Sequence, residues 1–143
     1  MLITRALSIR QPWCWLILDG HKTIEVRHWA TPFRGYFALH ASKIFDEDGF
    51  EYLKSLMSIP AREEYPKGVI CGYAYLFEVK DFSDRDVFTL LKDRHLNNPD
   101  WWHPSMHGFV LQEITLIPHI VSKGKLGLYK LKKPVEIDDS AYT

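Results

Sequence analysis

Residues 7–29 read LSIRQPWCWLILDGHKTIEVRHW, and their reading decides the fold. The stretch opens in a β-forming run that covers residues 2–9. Pro12 then fits the first turn of a short helix, where a missing N–H costs little. Residues 13–19 are that helix, and Gly20 supplies the left-handed residue that ends it. From Thr23 the period changes to two. Ile24, Val26 and His28 fall on one face, and Thr23, Glu25, Arg27 and Trp29 on the other. A strand, a helix and a second strand therefore follow within 28 residues, with no Pro/Gly/Ser linker between them.

Further along, residues 35–41 read as a buried strand, and residues 45–58 carry Phe50, Leu53, Leu56 and Met57 at helical spacing. Residues 59–67 hold two prolines and form a loop. Residues 68–79 are the longest strand candidate, rich in Val, Ile, Tyr and Phe. Ser83 can cap a helix to about residue 95, with Asp86 at the capping-box position. Residues 96–105 are a polar, aromatic loop, and residues 106–118 and 126–132 are the last strands. Helices interrupt the strands without alternating regularly, which disfavours a doubly wound sheet. The expectation is an α+β chain: a small mixed β-barrel with peripheral helices, whose closure removes exposed strand edges. It is one domain over residues 1–135, with a frayed tail over 136–143.

With 143 residues, 46% hydrophobic and 25% charged, the chain has a globular composition. No apolar run reaches the roughly 20 residues of a membrane span, and no signal peptide is recognisable. Two cysteines, Cys14 and Cys71, form no CxxC pair. They read as buried thiols in a reducing cytoplasm, with a single disulfide as the alternative. The histidines His103 and His107 flank Pro104 and precede Gly108, so they belong to a loop rather than a metal-binding helix face. Neither metal nor cofactor is expected.

The 18 basic and 18 acidic residues cancel but are segregated. Residues 1–43 carry six Lys/Arg against two acids, residues 44–113 seven against thirteen, and residues 114–143 five against three. Neutrality disfavours long non-specific duplex binding but allows one local basic site for a short strand. Lys22, Glu25 and Arg27 place a carboxylate between two cations beside a turn, with Glu25 and Arg27 about 7 Å apart on one strand face. Such a group can bind a phosphate or a base edge; a solvated face of paired charges is the plainer alternative. Arg10, Gln11 and Trp13 sit at the strand-to-helix junction, where Gln11 offers both donor and acceptor. Arg34 and Lys43 bracket the strand over 35–41. His40 and Ser42 are sequence neighbours, which is no evidence of a catalytic pair. One of Trp13 and Trp15 is core, and Trp15 is the one expected on the buried helix face. Lys22, at a turn, is expected to contribute little to packing.

These segments together resemble an ASCH domain, the activating signal cointegrator homology domain of the PUA-like superfamily. The likeness rests on residues 7–29 with their G-x-K-x-x-E-x-R core, on TPFRGYFALHASK at 31–43, on YPKGVICGYAYLFEV at 65–79 and on KGKLGLYKLKKP at 123–134. It implies a small PUA-like barrel with a cleft beside the opening helix and the G-x-K-x-x-E-x-R strand. It also implies RNA or DNA binding, and in some branches hydrolysis. One branch removes acetyl groups from N4-acetylcytidine with a Lys, a Thr three residues later and a distant Glu; another is linked to ribonuclease activity. Here Lys22 matches the Lys, but Glu25 stands in place of the Thr, which removes that nucleophile.

Two functional readings result. The first is a binding module for single-stranded RNA or DNA, or a modified nucleotide. Arg10, Lys22, Arg27 and Lys43 would meet phosphate, Gln11 and Glu25 a base edge, and Trp13 or Trp29 a ring face, with Arg34 a further ligand-binding residue. The second is a nucleoside or RNA hydrolase with Lys22 and Glu25 as the catalytic pair. The adjacent Glu25 is expected to hold the Lys22 ammonium protonated. A protein partner for the acidic 44–113 surface is a third possibility; a membrane is not expected.

Overall fold

A computed structural model describes residues 1–138. Strand β1 (Leu2–Gln11) runs into Pro12, which stands just before helix α1 (Trp13–Leu18) and accepts from the Leu16 N–H. Pro12 thus lies one position ahead of the expected first turn. Gly20 follows with φ +84°, a conformation that side-chain-bearing residues disfavour, and turns the chain into β2 (Ile24–Arg27). The remaining elements are β3 (Gly35–Phe45), α2 (Glu47–Lys54), β4 (Val69–Asp81), α3 (Arg85–Leu90), α4 (Lys92–His95), β5 (His107–Val121) and β6 (Leu128–Glu136).

The six strands form one mixed sheet in the order β2-β5-β4-β3-β1-β6. The consecutive pairs β3–β4 and β4–β5 are antiparallel. The pair β1–β3 is parallel, because α1 and β2 lie between the two strands and carry the chain back to its starting end. β6 returns to pair antiparallel with β1.

Strands β2 and β1 are four steps apart in this order, which would separate them by about 19 Å in a flat sheet. Yet Arg27 Nη2 donates to the Ser8 carbonyl at 2.8 Å. The sheet therefore curls strongly, giving a half-barrel with peripheral helices. Closure into a continuous ladder, expected from the sequence, does not occur among the described residues: β2 and β6 remain the two edges. The Arg27–Ser8 bond ties β2 across to β1 instead, and a cleft lies beside it.

The main core lies under α1, where Leu16 and Ile17 pack with Leu7, Ile9, Phe37 and Leu39. Cys14 and Cys71 are free, buried thiols with their sulfurs 3.5 Å apart. Trp13, not Trp15, is the buried indole: Trp13 is 8% exposed, while Trp15 is only partly covered. The expected helix from Ser83 is capped by Asp84, whose side chain accepts from Asp86 N, and it breaks at Leu91 into α3 and α4. Ser83 N is held by Asp81 Oδ1 at 2.8 Å, so Ser83 belongs to the turn before the helix and the cap falls to Asp84. Glu136, expected to begin a frayed tail, is strand, and Ile137 N donates to Met1 O. Residues 139–143 of that expected tail lie outside the described residues.

Candidate functional site

The turn after α1 builds the floor of the cleft. His21 N and Lys22 N both donate to Leu16 O, at 3.0 and 3.1 Å, which folds Lys22 back beneath the helix. Its side chain is fully buried at 0% exposure. The ammonium donates to His95 O and lies 4.8 Å over the Trp13 ring, an arrangement that adds cation–π attraction. Glu25 Oε1 is 3.7 Å from Lys22 Nζ, and Glu25 Oε2 is 3.2 Å from Arg27 Nε. Arg27 Nε–H points off the carboxylate and makes no hydrogen bond, while Nη2 is taken by Ser8 O. The carboxylate between two cations expected from the spacing is therefore present, but buried rather than solvated.

Burial pushes the Lys22 ammonium down to about 8; Glu25 acts to raise it and Arg27 to lower it further. The expectation that Glu25 would make the ammonium harder to deprotonate is thus overturned in direction, because removal from water outweighs the one carboxylate. Lys22 is also a packing residue, contrary to the sequence expectation. His95 beneath it is held neutral. Burial lowers it to about 4, its Nε2 donates to Phe88 O at 2.7 Å, and its Nδ1 accepts from Asn97 N.

The cleft has a volume of about 950 Å³ and opens between β2 and the β5–β6 connection. Of the residues expected at the site, Arg10, Trp13, Lys22, Glu25, Arg27, Trp29 and Lys43 all line it. Trp13 donates from Nε1 to Asp46 Oδ2 at 2.8 Å and meets Trp101 edge to face at 6.3 Å. Trp29 stands perpendicular to Phe109 at 5.1 Å.

Two expected residues are not brought to the cleft. Gln11 is fully buried; its Oε1 accepts from Trp15 N at 2.8 Å and its Nε2 donates to Pro66 O at 3.0 Å. Its amide satisfies the start of α1, a role Pro12 has no side chain to perform. Arg34 is exposed and bonds its own loop, through Nη1 to Thr31 O and Phe33 O.

The structure adds residues that the sequence reading missed. Lys123 and Lys125, from the β5–β6 connection, line the cleft. So do Ser8 and His40, which are register partners on the parallel β1–β3 ladder. Ser8 Oγ lies 2.9 Å from His40 Nδ1, and His40 Nε2 donates to Ser122 O at 2.7 Å. Burial lowers the His40 pKa. The partner of His40 is thus Ser8, 32 residues away, and not its neighbour Ser42, which accepts from Ile44 N. Nothing local in the sequence marks that pairing. The Lys-Gly-Lys of 123–125 was visible as charge, but only the fold carries it to the cleft.

Among the described residues no group of His, Cys, Asp and Glu could hold a metal ion, and no helix is long and apolar enough to cross a membrane.

A family model described as the ASCH domain matches residues 7–118. Among solved structures, the chain is similar to the crystal structure of ASCH from Zymomonas mobilis, with a TM-score of 0.63 and 15% identity, over 90% of this chain and 87% of that one. Two mutant forms of that Zymomonas mobilis protein are similar as well. One has a TM-score of 0.61 and 15% identity, over 90% and 88% of the two chains. The other has 0.59 and 17%, over 90% of each. At such identities the likeness concerns the fold. No curated protein matches the chain.

Proposed function

The chain belongs to the ASCH domain family, whose PUA-like fold is generally linked to RNA binding, and from that premise we propose that its cleft is a nucleic-acid interface. Its ligand is a short single strand of RNA or DNA, or a modified nucleotide. The observation that carries this reading is a division of charge. The acids of the cleft are already engaged: Glu25 by Lys22 and Arg27, and Asp46 by Trp13 Nε1 and Gly49 N. Arg10 and Lys43 line the same cleft, exposed and with neither an ion pair nor a side-chain hydrogen bond among the described residues. An anionic ligand supplies what the chain does not. The partly exposed Trp29 ring beside those cations suits a base, since every base presents a stacking face, while Trp13 is buried behind it as packing.

Titration of labelled single-stranded oligonucleotides across salt concentrations tests this. Log affinity falls against log salt by roughly 0.7 per neutralised phosphate. Salt-independent binding, or none at low salt, would overturn the reading.

The Lys22–Glu25 pair, 3.7 Å apart in the wall of the cleft, supports a second reading, a hydrolase. Here Glu25 takes a proton from water as the water oxygen bonds to the substrate's acyl carbon or phosphorus, the Lys22 ammonium stabilises the developing negative charge, and Glu25 returns the proton to the leaving nitrogen or oxygen as its bond breaks. Incubation with N4-acetylcytidine and with single-stranded RNA distinguishes the two. Multiple turnover that Glu25→Gln reduces by about 10²–10⁴ establishes the hydrolase; no turnover leaves the binding module.

A further inference from the structure

The connection between β5 and β6, residues 122–127, reads Ser-Lys-Gly-Lys-Leu-Gly and carries two of the five basic residues found beyond residue 113. It is pinned at several backbone points. Ser122 N donates to Gly68 O at 3.2 Å, His40 Nε2 donates to Ser122 O, and the Tyr129 hydroxyl donates to Lys123 O at 3.3 Å. Gly124 rests directly on the Ser8–His40 pair. A Cβ built there would lie 2.7 Å from Ser8 Oγ and 2.9 Å from His40 Cε1, closer than a side-chain carbon comes to either. Both contacted groups are themselves held, Ser8 by its strand and His40 at both ring nitrogens, so neither can swing aside cheaply. Only glycine lets the connection descend this far.

That seat explains the Lys-Gly-Lys pattern. The glycine anchors the connection, and the lysines on either side of it line the cleft, exposed and unpaired among the described residues. With Arg10 and Lys43 they make four cations from three separate segments around one opening. Four unbalanced cations around a cleft with indoles in its wall fit several phosphates better than a single carboxylate.

We propose that residues 122–127 form a phosphate clamp, a cationic element that Gly124 seats on the Ser8–His40 pair and that holds backbone phosphates of the strand entering the cleft. This rests on the nucleic-acid reading above and assigns Lys123 and Lys125 to it. His40 and Ser8 are positioning residues: they fix where the lysines stand.

The test uses fluorescence anisotropy of a labelled single-stranded ribo-oligonucleotide, with calorimetric titration of inorganic tripolyphosphate as a second probe. Lys123→Ala/Lys125→Ala should reduce the salt slope by about 1.4, two phosphates at roughly 0.7 each. The pair Lys132→Ala/Lys133→Ala, exposed on β6 and away from the cleft, should leave it unchanged. Gly124→Ala keeps every charge, so weaker binding by this variant reports the seat; should it fail to fold, the double lysine variant still decides.

An unchanged slope in Lys123→Ala/Lys125→Ala, or an equal loss in the β6 pair, overturns the clamp. Polyglutamate binding as tightly as the oligonucleotide overturns the phosphate assignment in favour of an acidic protein. If the oligonucleotide does not bind but tripolyphosphate does, and the double variant loses it, the clamp stands and the nucleic-acid reading falls. If neither probe binds the wild type, the clamp falls too.

Discussion

The floor and the rim of the cleft use the same residue types for opposite purposes. On the floor, Lys22, Glu25 and Arg27 come from one short stretch, lie largely out of water and hold one another. On the rim, Arg10, Lys43, Lys123 and Lys125 come from segments far apart in sequence and hold nothing among the described residues. Charges close in sequence tend to neutralise one another as the strand forms. Charges that the fold assembles from distant segments, with no acid between them, are left for a partner. A basic motif is thus a weaker guide to a binding surface than basic residues that end up unpaired.

The contrast is sharpest in stability. Trp13→Ala should be the most damaging single change. It removes a buried ring, the donor to Asp46 and the cover over the Lys22 ammonium, at about 3–5 kcal/mol for the ring alone. Trp15→Ala should cost less, since that ring is only partly covered. Urea denaturation of the two variants ranks them, and the reverse order would show Trp15 to be the core indole. Lys22→Ala should cost about 3–5 kcal/mol, because it strips one partner from a buried ion pair and leaves His95 O with only the Asn97 amide as donor. Lys125→Ala, on the rim, should stay within about 0.5 kcal/mol of wild type. Equal midpoints for the two lysine variants would erase the distinction between floor and rim.

Stability against pH probes the floor in another way. Lys22 titrates near 8 when folded and near 10.5 when unfolded. Between those values the unfolded chain binds more protons, so stability should rise with pH, by about 3 kcal/mol across the whole window. Denaturation at pH 7.5, 8.5 and 9.5 stays below ordinary tyrosine ionisation and should show increasing midpoints; a flat or falling series contradicts the buried ammonium. His95 gives the acid counterpart. Its folded pKa near 4 lies below the usual 6.5, so stability should fall as pH drops from 6.5 towards 4, and His95→Gln should flatten that limb.

The rim should show the smallest structural effect and a purely electrostatic functional one. Arg10→Ala and Lys43→Ala should each leave the denaturation midpoint in place and each lower the oligonucleotide salt slope by about 0.7. A shifted midpoint would mean that these cations are engaged within the fold after all.

Much of the framework was legible because it is local. Gly20 needed a positive φ after a short helix, and it has one. The period-2 run from Thr23 is a strand with Glu25 and Arg27 on one face, and the long β-rich run after residue 67 is β4. These depend on backbone sterics and side-chain period, which the order of residues alone specifies. The cap of the helix near residue 83 is not legible in the sequence, because Ser83 and Asp84 are both competent caps and only the tertiary turn chooses Asp84.

What the chain order could not specify is which groups lose water and which meet across the sheet. Lys22 reads as a turn lysine, but a helix above and His95 below bury it, and desolvation then outweighs its carboxylate neighbour. Gln11 reads as a ligand group, but the start of α1 takes its Oε1 and the Pro66 carbonyl takes its Nε2. His40 finds Ser8 only through the parallel register of β1 and β3, and Gly124 finds both only because β6 crosses back to β1. Period and turn chemistry act over a few residues, so the sequence by itself determined the strands, the opening helix and the face each charge occupies. Burial and cross-strand contact depend on sheet curl and strand order, so the tertiary structure alone decided which of those charges remain free to meet a ligand.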